Sequence, residues 1–219
     1  MVIRSVNVGR PRPLAVGDRS VLSGIVKEPV SARVAVGPTN LDGDGQADLT
    51  VHGGIDKAVY AYPVEHYAHW RSALGRADLV PGFFGENLTT EGLLEDDVLV
   101  GDVLRVGSAL LEVSQPRVPC FKLLARMGDP GFAKPFLTSG RVGFYLRVLE
   151  QGELGAGDAI TRERRGEGGL SIRSATALRS DGAGADELAR AAATPALADV
   201  WRESFAARAE RLRSRRPRG

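Results

Sequence analysis

A chain of 219 residues with 43% hydrophobic and 26% charged residues has enough apolar material for a substantial core, and a formal charge of +2 is too small for a protein that works by wrapping phosphate backbones. Cys120 is the single cysteine, which excludes an intrachain disulfide, a cysteine-rich zinc site and a cysteine-ligated iron–sulfur cluster carried by this chain alone. No apolar run approaches the ~18 residues of a membrane-spanning helix and the N-terminus has no basic region ahead of a long apolar core, so a cytoplasmic protein is expected.

Residues 1–9 alternate like a strand. Short runs rich in Val, Leu and Tyr, cut by Gly, Pro and Asp, predict further strands at 34–36, 49–52, 58–62, 102–106, 110–114, 143–149 and 158–162, a spacing that favours a barrel or sandwich. Asp42-Gly-Asp-Gly-Gln-Ala-Asp48 opens like a calcium loop but lacks the later ligands, with Gln46, Ala47 and Gly53 where an acid, a glycine and a closing Glu belong, so it reads as a Gly/Asp turn. His52-Gly-Gly-Ile-Asp56-Lys57 follows, with two glycines that let backbone approach a ligand and a His, an Asp and a Lys about the same turn; a lysine that simply faces water is the plain alternative.

Residues 63–74 open with Pro and set Val64, Tyr67, Trp70 and Leu74 at helical spacing, which predicts an amphipathic helix. His66 and His69 on it are spaced like a metal pair without a third ligand, so ordinary histidines are the favoured reading. In Phe84-Gly-Glu-Asn87-Leu a buried Asn87 amide needs backbone or ligand as partner, and bracing its own loop satisfies that need equally well. Gln115-Pro-Arg117-Val-Pro-Cys120-Phe-Lys122 ends a strand at one proline and starts a helix over 119–127 at the next. Cys120 then stands near a helix N-terminus with Arg117 and Lys122 close in sequence, and the helix dipole and both cations favour the thiolate. A lone cysteine also serves as an inert apolar residue, so this local reading stays open.

Beyond Gly166 the texture becomes helical, at 186–193 and 195–212, with Leu197, Val200, Trp201, Phe205 and Ala209 forming an apolar stripe. The stretch 174–184 is Gly/Ala-rich, and the basic run 211–218 reads as a solvated tail. The organisation expected is a β domain over 1–165 and a helical segment with a basic tail over 166–219.

Taken in order, the Gly-Asp-Gly-Gln-Ala-Asp48 turn leading to His52-Gly-Gly-Ile-Asp-Lys57, Phe84-Gly-Glu-Asn87, Gly101-Asp-Val-Leu-Arg-Val-Gly107, Gln115-Pro-Arg-Val-Pro-Cys120 and Gly140-Arg141-Val-Gly-Phe-Tyr145 resemble the MOSC family, named for the C-terminal domain of molybdenum-cofactor sulfurases, and within it the bacterial YiiM type. The resemblance implies a mainly β fold with helices, a mixed β-barrel followed by a small C-terminal helical segment, of which the stretch 174–184 departs from the first of three helices. It implies a molybdenum cofactor (molybdopterin) rather than pyridoxal phosphate, with Cys120 as catalytic residue and protein ligand to molybdenum, and Lys57, Asn87, Arg117, Arg141 and His52 as cofactor-binding candidates. A soft thiolate suits such a metal, and a pterin phosphate needs cationic or N–H partners.

The reaction implied is reduction of N–OH to N–H in a hydroxylaminopurine or amidoxime, with electrons from a separate flavoprotein or iron–sulfur reductase. No membrane or nucleic-acid partner is implied, and the apolar stripe of the last helix packs either on its own domain or on a second copy in a homodimer. Two alternatives share these residues: a carrier of cofactor or persulfide sulfur without turnover, and a thiol enzyme using Cys120 with His52 or His66 as base.

Overall fold

The computed structural model describes residues 1–47, 53–180 and 182–215, so the strand expected at 49–52, His52 and the end of the basic run lie outside the described residues. The frame is an eight-stranded mixed sheet. Its order is β12 (Ile160–Arg164), β8 (Val103–Val106), β9 (Ala109–Pro116), β10 (Phe144–Glu150), β6 (Val59–Pro63), β7 (Leu88–Glu91), β1 (Val2–Val8) and β4 (Glu28–Val30). Neighbours are antiparallel except β6 and β7, which run parallel and are joined through helix α1 (Glu65–Leu74), the kind of crossover that parallel neighbours require. Among the described residues two small ladders complete the β structure: β5 (Val34–Val36) with β11 (Gly152–Leu154), and the exposed hairpin of β2 (Arg12–Val16) and β3 (Arg19–Ser23).

The expected closed barrel is not formed as a ladder. One edge of β1 is taken by β7, and the other is shared: β4 pairs opposite Val6–Val8, which leaves the isolated bridge between Val2 and Ala159 for the closing contact. Ile3 N to Asp158 O (3.0 Å) and Ile160 N to Met1 O (2.9 Å) tie the sheet ends there, so the sheet is curled with β4 and β12 as its edges. The predicted strands from 34 onward that fall on described residues appear as β5, β6, β8, β9, β10 and β12, shifted by up to two residues. The short strands β2, β3, β4, β7 and β11 carry no clean alternation and exist because a neighbour pairs with them.

In α1, Tyr67 and Trp70 are buried while Val64 and Leu74 lie at the core margin, as the helical spacing predicts. Pro63 closes β6, opposite Thr90, instead of opening the helix; a residue without an N–H is tolerated at a strand end. The sequence does not announce α3 (Ala133–Ser139), which follows a 3-10 turn at Pro130–Phe132 and sends Phe136 into an aromatic cluster with Trp70, Phe84 and Phe132. Tyr62 stacks on Phe84 at 4.4 Å within the same cluster.

The tail forms α4 (Ile172–Ala177), α5 (Ala185–Ala192) and α6 (Asp199–Ser214). Ser171 caps α4 by accepting a hydrogen bond from Ser174 N, so the first tail helix exists although the Gly/Ala-rich stretch begins inside it. Leu197, Trp201, Phe205 and Ala209 are buried, whereas Val200 is 61% exposed: the i, i+4 line through 201, 205 and 209 turns position 200 to water. Ile172, Leu188, Trp201 and Phe205 belong to the same hydrophobic cluster as Val113, Phe144 and Leu146 of the sheet. Truncating Phe205 to Ala is expected to lower the stability of the whole chain by about 3–5 kcal/mol in one cooperative transition, read by denaturant unfolding; a separate early transition of the tail would show that it packs independently.

Candidate functional site

The site grows out of the centre of the sheet. Register places Gln115 of β9 opposite Tyr145 of β10 and Tyr145 opposite Tyr60 of β6, with the two tyrosine rings 5.1 Å apart. Asn87, just before β7, extends the row, since its N donates to Tyr60 O (2.8 Å) and its Oδ1 accepts from Tyr60 N (3.1 Å). A cleft of about 550 Å³, counting its open mouth, lies over this row and is lined by Lys27, Asp44, Lys57, Tyr60, Asn87, Arg117, Cys120, Lys122 and Tyr145 with residues 23–25 and 45–47.

β9 ends at Pro116, and the next residue, Arg117, turns its side chain into the sheet rather than to water. It is 4% exposed, its Nη1 donates to Phe84 O (2.8 Å), its guanidinium carbon lies 4.9 Å from the Tyr60 ring centre, and its Nε has no partner among the described residues. Burial works against this charge, yet Tyr60, Tyr145 and Cys120 around it hold its pKa above the ordinary guanidinium value. Burial raises the Tyr60 and Tyr145 phenols, with Arg117 pulling the other way. The loop behind Arg117 is pinned in turn: Tyr60 OH donates to Val142 O (2.7 Å), Arg117 N to Gly143 O (3.3 Å) and Gly143 N to Glu95 Oε1 (2.8 Å). Gly143 has φ +67°, and a Cβ there would stand 2.4 Å from Ala61 O, so the position accepts only glycine.

Three residues on, Cys120 is the extended residue at the N-terminus of α2 (Phe121–Met127), half-buried, with its carbonyl accepting from Leu123 N (2.9 Å) and Leu124 N (3.2 Å). The sulfur therefore sits at a helix start beside a cation, as the two prolines foretell. Lys122 on the same turn is buried and has no carboxylate partner among the described residues.

The opposite wall is one that sequence reasoning missed. Asp44, from the turn read as structural, accepts from Gly9 N (2.9 Å) and pairs with Lys27 Nζ through Oδ1, and accepts from Asn87 Nδ2 (2.8 Å) through Oδ2. The Asn87 amide is thus spent on Tyr60 and Asp44, and it braces the cleft. Burial pushes the Lys27 ammonium below its usual pKa, opposed by Asp44. Gly24 lets this wall close: a Cβ there would stand 1.9 Å from Gly45 O. The signal for Lys27 is absent because the residues around it do not alternate, whereas Asp44 shows in the sequence only as one acid of a Gly/Asp turn.

Lys57 is the last residue of a 3-10 turn at Ile55–Lys57. Burial lowers its pKa, and Asp56 opposes that. Asp56 faces away, held by Arg147 Nε (2.9 Å), and the same guanidinium reaches Glu112 (2.7 Å) and Ala196 O (3.0 Å), tying the glycine turn to the sheet and the tail. Arg141, expected at the cofactor, does not line the cleft; its carbonyl accepts from Tyr62 OH (3.2 Å) and its N donates to Ser139 Oγ (3.1 Å). His66 is buried in the core with its Nε2 at 2.7 Å from Glu95, so it is not a base for Cys120, and His69 packs edge-on against Trp70. Lys27, Lys57, Arg117 and Lys122 against Asp44 give the described cleft walls a strong preference for anions.

The chain is thus a mixed-sheet protein with a cysteine and a cation-lined cleft over the centre of the sheet. The MOSC domain model matches residues 48–161, and the chain belongs to that family. It is 40% identical over 211 residues to the uncharacterized protein YflK of Bacillus subtilis, covering 96% of this chain and 95% of that one. The crystal structure of YiiM from Geobacillus stearothermophilus superposes with a TM-score of 0.80 at 39% identity over 94% of this chain and 98% of that one. A protein named Reductase from Gibberella moniliformis is 37% identical over 163 residues, 73% of this chain but 29% of that longer one.

Glu86 tests the packing beneath the cleft. It is fully buried, its Oε1 accepts from Tyr67 OH, Gly82 N (2.7 Å) and Thr89 Oγ1 (2.8 Å), and its Oε2 has no partner among the described residues. Burial raises its pKa against those donors. A carboxyl with a raised folded pKa contributes stability that is complete below the unfolded value of about 4.3 and lost as pH rises through the folded one. Glu86→Gln is therefore expected to gain stability relative to wild type as pH rises above the unfolded value of about 4.3, by about 1.4 kcal/mol per pKa unit of the shift, measured by denaturation at each pH; parallel curves would contradict it.

Proposed function

We propose that this MOSC protein is a molybdenum-cofactor-dependent reductase of N-hydroxylated compounds, taking N–OH to N–H. The observation that carries the reading is a buried Arg117, with no carboxylate against it among the described residues and an orphaned Nε, held beside Cys120 in a cleft lined by four cations and, among the described residues, one carboxylate, Asp44, which pairs with Lys27. That donor set fits the cofactor: a thiolate at a helix start for a soft metal, and fixed positive charge for a phosphate. Membership of the MOSC family and the likeness to a protein named Reductase support the same reading.

Cys120 would hold the metal, and Arg117, Lys57 and Lys122 the anionic part of the pterin. When bound, the cofactor supplies the two-electron chemistry. The chain's own part is to keep Cys120 ionised, to fix the anion against the tyrosine row, and to hold the opposite cleft wall in place through the Lys27–Asp44–Asn87 closure. Among the expected cofactor residues, Asn87 acts here as a brace, Arg141 lies outside the described cleft lining, and His52 rests on the family resemblance alone. The single cysteine leaves the electrons to a separate reductase of the flavoprotein or iron–sulfur class.

The test is molybdenum and pterin content of protein made in a cofactor-producing host, with turnover of benzamidoxime or 6-N-hydroxylaminopurine driven by reduced viologen. Wild type is expected to carry close to one metal per chain and to turn over, and Cys120→Ala to lose the metal and all turnover. Full loading without turnover of any N-hydroxylated compound would make the protein a cofactor carrier, and no loading would overturn the proposal.

A further inference from the structure

Lys27 stands out among the cleft residues because it is 8% exposed, yet its ammonium has one protein acceptor, Asp44. A lysine ammonium carries three N–H bonds. Two of them therefore have no acceptor among the described residues, in a side chain that lines the cleft. Those two N–H bonds are directed to whatever occupies the cleft, so the group is placed to donate to a ligand there in exchange for water.

Asp44 is itself immobilised by Gly9 N and Asn87 Nδ2, so the Lys27 Nζ is held to one place on the wall. The other charged groups that act on Lys27 are Glu86, which favours its charge, and Arg126, which opposes it; burial, the largest influence, makes its proton easier to release than that of a surface lysine.

We propose that Lys27 is the general acid of the cleft, donating its proton to the departing oxygen of an N-hydroxylated substrate, with Asp44 as its positioning residue. This rests on the reductase reading above. The overall change is R–NH–OH + 2 e⁻ + 2 H⁺ → R–NH₂ + H₂O, with both electrons from the external flavin or iron–sulfur reductant. The N–O bond breaks, the oxygen leaves as water with one proton from Lys27 Nζ, the nitrogen takes the second from solvent, and the neutral amine of Lys27 is reprotonated from bulk water. Arg117 cannot take this role because its guanidinium does not release a proton in the working range. The Tyr60 and Tyr145 phenols are pushed up by burial, and Tyr60 OH is already given to Val142 O.

The experiment uses full-length protein loaded with cofactor, reduced viologen as electron source and benzamidoxime as substrate, comparing wild type, Lys27→Arg, Lys27→Gln and Asp44→Asn. Arginine keeps the charge and the pairing with Asp44 while withholding the proton. Lys27→Arg is expected to keep its molybdenum content and melting temperature and to lose kcat by about 100-fold or more, the usual worth of a positioned general acid. Wild-type kcat should fall as pH rises through the Lys27 pKa, and that limb should vanish in Lys27→Arg and move to lower pH in Asp44→Asn, which removes the carboxylate favouring the ammonium. Independently of turnover, the Lys27 side-chain amine followed by NMR in cofactor-free protein should titrate below about 10.4, the reference value for a free lysine.

Loss of molybdenum from Lys27→Arg would make Lys27 a cofactor anchor and overturn the inference, as would unchanged kcat and pH profile in that variant while wild type turns over. A Lys27 midpoint at or above the free value would overturn it too. Absence of loading or turnover in wild type removes the reductase reading and this inference with it, and is told apart by the wild-type control.

Discussion

A guanidinium buried without a carboxylate among the described residues has to be held by groups that lie closer to neutral, and at Arg117 these are the Phe84 carbonyl and the Tyr60 phenol ring, while the residue's own backbone N–H is given to Gly143 O. Stripping water from such a charge costs several kcal/mol unless the geometry is good. Each partner is fixed by a different part of the fold: Phe84 by the aromatic cluster with Tyr62 and Phe136, Tyr60 by its central place in the sheet, and the Val142–Gly143 backbone by Tyr60 OH on Val142 O and Glu95 on Gly143 N. The strand order that sets β6 between β10 and β7 is thus what allows a cation to sit at the cleft floor.

The glycine-rich motifs work differently from what their composition suggests. Asp56 and Asp44, two acids in turns of the kind that usually face solvent, both end as anchors. One ties the Lys57 turn to Arg147, and through it to Glu112 of β9 and Ala196 of the tail. The other draws Lys27, Gly9 and Asn87 together into a wall. The glycines allow the backbones to close, and the acids determine what they close upon. Cations then remain turned into the cleft while their counter-charges are turned aside or spent.

Much of the fold was legible from local pattern. The alternation of residues 1–9, the apolar strands from 58 onward and the Tyr67–Trp70 helix face are short-range signals, and the structure keeps them. So is the start of a helix at Cys120 after two prolines. Elements stabilised by a partner rather than by their own residues were not legible: β4 exists because β1 pairs with it, and α3 because Phe132 and Phe136 have Trp70 to pack against. The barrel expectation failed for the same reason, since the competition between β4 and the closing strand for one edge of β1 has no local trace.

At the cleft the division is similar. Cys120, Arg117 and Lys57 are marked by the chain itself, because prolines, a helix start and paired glycines constrain backbone wherever they occur. Whether Asn87 braces or binds, whether Arg141 reaches the cleft and what becomes of Asp44 depend on residues more than 40 positions away, such as Asp44 against Asn87 and Tyr62 against Arg141. By itself the sequence determined the identity of the thiol, the absence of a second one and the cationic character near it, since those are properties of residue type and short spacing. The tertiary structure alone decided which cations face the cleft and which acid restrains them, because burial and pairing over such distances are set by how the strands are ordered.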